Sequence, residues 1–130
     1  MTTRTAALII GLIFIAVGIL GFVPNPIVGA DEQTVIFHAD KVHNMVHIAS
    51  GVLFVLVALA VPSFVGTFMV IFGLVYLALG ILGLVSIGIQ GMGQVAGFLH
   101  VNGPDNLLHV GLGIFIILAG TVTRKSYTTT

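Results

Sequence analysis

Two matched polar sets interrupt an otherwise apolar chain: Asn44 with His47, and Asn106 with His109. In each set the amide and the imidazole are three residues apart. On a helix they share a face, with Gly51 and Gly113 about one turn further along it. Imidazole binds zinc, copper and haem iron, and it titrates near neutral pH. Two such faces brought together could ligate an ion, pass a proton, or hydrogen-bond across helices. His43 and Asp105, each four residues before its histidine, could add ligands or orient the rings. Asparagine is a poor transition-metal ligand, which weighs toward the hydrogen-bonding reading. His38 and His100 precede the helices and are expected to be solvated or interfacial; the alternative is that they fold back over the bundle mouth as outer ligands. Asp40, Lys41 and His43 are expected to start and cap a helix.

The elements that must position these residues are membrane-crossing helices. Of 130 residues, 58 % are hydrophobic and 6 % charged, too little charge to cover a soluble surface. Mean hydropathy is +1.22. No Asp, Glu, Lys or Arg occurs from Val42 to Pro104, a stretch with room for two crossings of about 20 residues each. Four segments emerge: about Thr5 to Val23, His43 to Val61, Phe64 to Ile89, and Pro104 to Val122. The first stops at Pro24-Asn25-Pro26 and the second at Pro62. The third is the longest and could tilt or end early at its glycines. Pro104 and Asp105 suit the first turn of the fourth.

The first segment also resembles a signal peptide, with Arg4 as its basic start and Val28-Gly29-Ala30 as a small-residue cleavage site. An internal repeat argues against that. A shift of 62 residues lays GLIFIAVGILGFV, from Gly11, on GLVYLALGILGLV, from Gly73. The same ungapped shift carries His38, Asn44, His47 and Gly51 onto His100, Asn106, His109 and Gly113. The first segment is therefore expected to be retained as a helix. The expected fold is all-α: one integral membrane domain over 1–130, a four-helix bundle of two tandem parallel helical-hairpin repeats. Repeat one covers about 5–62 and repeat two about 67–124, related by a pseudo-two-fold axis along the membrane normal. Arg4, Arg124 and Lys125 fall on one side, and Asp31-Glu32 and Asp40-Lys41 on the other. The basic side predicts cytoplasmic termini.

Gly11, Gly18 and Gly21, with Gly73, Gly80 and Gly83, recur near one face of the first and third segments and predict close helix packing. Gly88, Gly91, Gly93 and Gly97 are expected to give flexibility rather than a phosphate cradle, since no Lys-Ser/Thr follows them. Tyr76, aligned with Phe14, reads as packing. The C-terminal Ser-Tyr-Thr-Thr-Thr is expected to be disordered. Zero net charge without a basic patch argues against nucleic acid, and the absence of cysteine excludes disulfides and thiolate sites. No Ser-His-Asp arrangement or glutamate-bearing zinc-protease motif is present.

GLIFIAVGILGFVP, HNMVHIASGVLFV and VNGPDNLLHVGLGIFIILAG together resemble a bacterial membrane family catalogued as domain of unknown function 4383. The resemblance runs from about Ala7 to Gly120 and is most specific in the paired His-Asn-x-x-His and Asp-Asn-x-x-His motifs. It implies a four-helix protein of the bacterial inner membrane and brings no activity. The expected role is a non-enzymatic structural or accessory membrane module without cofactor. It would be surrounded by lipid and would meet other membrane proteins, or itself, within the bilayer. The alternative is a histidine-based zinc, copper or haem protein, and the weaker alternative a small-solute or proton conduit.

Overall fold

A computed structural model describes residues 1–30 and 35–123. The expectations resting on Asp31, Glu32, Arg124, Lys125 and the C-terminal tail lie outside the described residues. Four long helices carry the structure: α1 (Thr3–Leu20), α2 (Lys41–Ala60), α3 (Val65–Ser86) and α4 (Gly103–Val122). They pack in pairs, α1 with α2 and α3 with α4. Each is long and apolar enough to cross a membrane, the pattern of a multi-pass membrane protein. Leu12, Ile13, Leu53, Leu56, Leu74 and Leu118 point outward, as lipid-facing side chains do.

Local chemistry sets the helix starts. Thr2 caps α1 by accepting the N–H of Thr5, and Asp40 caps α2 by accepting the N–H of His43 at 2.9 Å. Asn102 and Asp105 form a reciprocal capping box at the head of α4, with Pro104 in its first turn. The ends differ from the sequence expectation by a few residues. α1 stops at Leu20 rather than Val23, because the Asn25 amide donates to the Leu20 carbonyl at 2.8 Å. Its oxygen accepts the N–H groups of Ile27 and Val28, so Asn25 holds the whole turn. Pro62 opens a short 3-10 turn, Pro62–Phe64, ahead of α3. α3 ends at Ser86 rather than Ile89, where the N–H groups of Ile87 and Gly88 both reach the Gly83 carbonyl.

The all-helical expectation holds for the spans and fails in the two connections at one end of the bundle. There β1 (Val28–Gly29) pairs in parallel with β2 (Phe37–His38), and β3 (Met92–Val95) pairs antiparallel with β4 (Leu99–Asn102). β2 lies beside β4, and the Asn102 amide donates to the Ile36 carbonyl at 3.0 Å. Backbone groups near hydrocarbon need partners, and the ladders supply them. Glycines also shape this end. Ala96 and Gly97, at φ 57° and 81°, lie in the three-residue turn, 96–98, between β3 and β4. Gly103 lies so close to the Ile89 carbonyl that a side chain has no space.

Glycine seams hold each pair. Gly11 and Gly51 bring α1 and α2 into backbone contact, and a Cβ on Gly11 would lie 2.8 Å from the Gly51 carbonyl oxygen. Gly73 and Gly113 do the same for α3 and α4, where a Cβ on either would lie 2.7 Å from the other's oxygen. Gly18 meets the Asn44 carbonyl, and Gly80 the Asn106 carbonyl. Between the pairs the core is aromatic: Phe54 packs against Phe14, Phe68 and Phe72 at ring separations of 5.8, 5.0 and 5.1 Å.

Candidate metal centre

Near the strand end, α2 and α4 bring three imidazoles together. One nitrogen from each of His43, His47 and His109 lies within 4.8 Å of the others. The ring centroids are 4.5 Å apart for His43 and His47, 5.5 Å for His43 and His109, and 6.3 Å for His47 and His109. All three are buried, at 0 %, 6 % and 1 % exposure in chain order. Burial of this kind normally requires hydrogen bonds. Here Nε2 of His43, both nitrogens of His47 and Nδ1 of His109 have none among the described residues.

His43 shows how the ring is set. Its Nδ1 is 2.7 Å from the His100 carbonyl on β4. A carbonyl only accepts, so Nδ1 carries the proton and Nε2 presents a bare lone pair. This is the arrangement of a metal-ligating histidine whose tautomer is set by its outer partner. Below the cluster, Phe14 meets His47 edge-on at 5.8 Å and Tyr76 meets His109 edge-on at 5.6 Å. Phe14 and Tyr76 are 5.2 Å apart, forming an aromatic floor. Tyr76 is also more than packing, because its hydroxyl lies 3.2 Å from Ser50 Oγ on α2.

The other sequence candidates divide. Asn44 and Asn106 do not join the imidazoles; each amide turns to its own hairpin partner, against Gly21 on α1 and Gly83 on α3. The Asn106 amide also donates to the Gly88 carbonyl at 3.2 Å. Asp105 is buried but stands outside the three-ring group. Its carboxylate is taken up by the capping box, with Oδ2 accepting the Asn102 N–H at 2.8 Å, and by the backbone N–H of His38. His38 is not solvated: it is 4 % exposed, and its ring lies 5.7 Å from that of His100. β2 carries it inward against β4. His100 remains partly open, with Nε2 3.0 Å from the Gln94 amide and 4.0 Å from an Asp40 oxygen.

Residues 4–122 match the family described as Domain of unknown function (DUF4383), a span that takes in all four helices and the histidine cluster. The chain belongs to DUF4383. No curated protein and no solved structure matches it. The DUF4383 description attaches no activity, so the chemistry of the cluster must carry the functional reading. Sequence reasoning missed Ser50, and it offered His43 as a possible added ligand without the β4 carbonyl that sets its ring. Ser50 had a signal, being three residues after His47 on the same face.

Proposed function

We propose that this chain is a transition-metal-binding protein of the membrane, in which His43, His47 and His109 hold one ion between the two hairpins. The observation that carries the reading is the convergence of buried imidazole nitrogens that have no hydrogen-bond partner. A purely structural or accessory module would satisfy those nitrogens with neighbouring helices or loop carbonyls, and only Nδ1 of His43 is met in that way. Ligands at about 2.0–2.1 Å sit roughly 3.5 Å apart around a trigonal ion, so the rings need to close by only about an ångström. Three imidazoles aimed at one point leave no plane for a porphyrin, which favours a single ion over haem. The role is binding rather than catalysis.

The surrounding architecture is read as two tandem parallel hairpins about a pseudo-two-fold axis. In support, Gly11 with Gly51, Gly18 with Asn44, and Gly21 with Asn44 recur 62 positions later as Gly73 with Gly113, Gly80 with Asn106, and Gly83 with Asn106. The strand end is taken to face outward from a bacterial inner membrane and both termini the cytoplasm, on the strength of Arg4 at the opposite end. Arg4 there donates to the Ala58 carbonyl at 2.9 Å.

Elemental analysis of protein purified without added metal tests the reading. A bound transition metal at about one equivalent, lost equally in His47→Gln and His47→Ala, is expected, since amide is a far poorer ligand than imidazole. No retained or reloadable metal, with His47→Gln mild and His47→Ala damaging, would return the cluster to a structural role.

A further inference from the structure

We infer that the ion held by His43, His47 and His109 is monovalent copper, an inference that rests on the metal-binding reading above. The ligand set comes first. All three donors are neutral imidazoles, and the chain has no cysteine. Imidazole suits copper, zinc, iron and nickel, while calcium, magnesium and manganese prefer oxygen.

Charge then separates copper from zinc. The cluster is buried between helices that carry no Asp, Glu, Lys or Arg from Val42 to Pro104. The cost of desolvating an ion rises with the square of its charge, so a divalent ion in this site bears about four times the penalty of a monovalent one. Two carboxylates stand near the rings: Asp105, one turn before His109 on α4, and Asp40, the N-cap of α2, whose Oδ1 accepts the His43 N–H at 2.9 Å. Each already accepts a backbone N–H, Asp105 from Asn102 and Asp40 from His43, and neither belongs to the ring group. The lower desolvation cost is what favours the monovalent ion.

Coordination number points the same way. Zinc in structural sites is four-coordinate, and in three-ligand sites it keeps a water in the fourth place. No Asp, Glu or further His completes the group among the described residues, and the edges of Phe14 and Tyr76 close the floor beneath His47 and His109. Cuprous ion has a filled d shell and is content with three nitrogens in a plane. Nε2 of His43 is already presented as a bare lone pair, through the bond from Nδ1 to the His100 carbonyl.

The full chain in detergent, stripped by chelator, would be loaded under anaerobic reducing conditions with Cu(I) or with Zn(II) alone, and then with both together. The expected result is one equivalent of Cu(I), retained against excess Zn(II) and silent in electron paramagnetic resonance, with an X-ray absorption edge typical of three nitrogen neighbours. The absorption measurement needs no variant and stands even if substitutions impair folding. His47→Gln and His109→Gln should weaken Cu(I) by at least the roughly 10–100-fold that loss of an outer partner costs a metal site. Zn(II) displacing Cu(I) at equal concentration, in a four-coordinate site, would overturn monovalent copper and leave the metal-binding reading standing. Binding of neither ion, or copper binding indifferent to both substitutions, would overturn both.

Discussion

The hydroxyl of Tyr76 on α3 lies 3.2 Å from Oγ of Ser50 on α2, a buried polar link between the two hairpins just below the histidines. Hydrogen bonds between membrane helices average about 0.6 kcal/mol and reach about 1.7 kcal/mol. This pair is buried and should lie toward the upper value. Ser50→Ala and Tyr76→Phe should each lower thermal stability in detergent, and the double variant should lose little more than either single one. Strictly additive losses in that double-mutant cycle would show that the two hydroxyls do not interact.

Gly18→Leu and Gly80→Leu should force two backbones apart, since even a Cβ at Gly18 lies 2.7 Å from the Asn44 oxygen and one at Gly80 lies 2.9 Å from the Asn106 oxygen. Overpacking of this kind costs about 1–3 kcal/mol or more. A drop of several degrees in melting temperature, or failure to accumulate, is expected. Gly111 is the internal control, because a Cβ there meets nothing within 4 Å. Gly111→Ala should be neutral or stabilising by up to about 1 kcal/mol. Parent-like melting of both leucine variants would mean that the seams are misassigned.

At the strand end, Asn102→Ala should cost more than Asp40→Ala. Each removes an N-cap, worth about 1 kcal/mol. Asn102 additionally gives up the reciprocal capping box with Asp105 and the bond to the Ile36 carbonyl. Thermal denaturation of the two variants side by side checks the order.

Ion removal should loosen the molecule. A ligand that binds only the folded state adds about 2.7 kcal/mol at a hundred times its dissociation constant. Chelation should therefore lower the melting temperature, and reloading should restore it; His43→Ala should melt at one temperature with or without metal. A melting point indifferent to chelator in the parent chain would count against an ion between the hairpins.

A reporter fused after Thr130 should be active in the cytoplasm, following the basic residues at both ends of the chain. Periplasmic activity alone would invert the orientation and turn the strand end inward.

The four spans were legible because length and apolarity are local properties. His47 and His109 were legible as a pair because a fixed offset relates them. His43 was legible as a possible added ligand, one turn before His47, but the β4 carbonyl that sets its ring, 57 positions away, was not, because nothing near it in sequence announces that strand. The placement of the amides was not legible for a similar reason: Asn44 and Asn106 lie against Gly21 and Gly83, which belong to the neighbouring helical segments. The link between Ser50 and Tyr76 was hidden because both residues break the repeat, aligning with Leu112 and Phe14.

The glycine seams also decide where this molecule can give. Within each hairpin, backbone rests on backbone at Gly11 with Gly51 and at Gly73 with Gly113, and such contact has no side-chain rotamers to absorb a displacement. Between hairpins the contact is made by side chains, Phe14 against Tyr76 and Phe54 against Phe72, with the Ser50 and Tyr76 hydroxyls beside them. Mechanically the chain is two struts, each locked backbone to backbone along its own seam, with side chains filling the layer between them. His109 stands on one strut and His43 and His47 on the other, so an ion held by all three would bridge the layer between them.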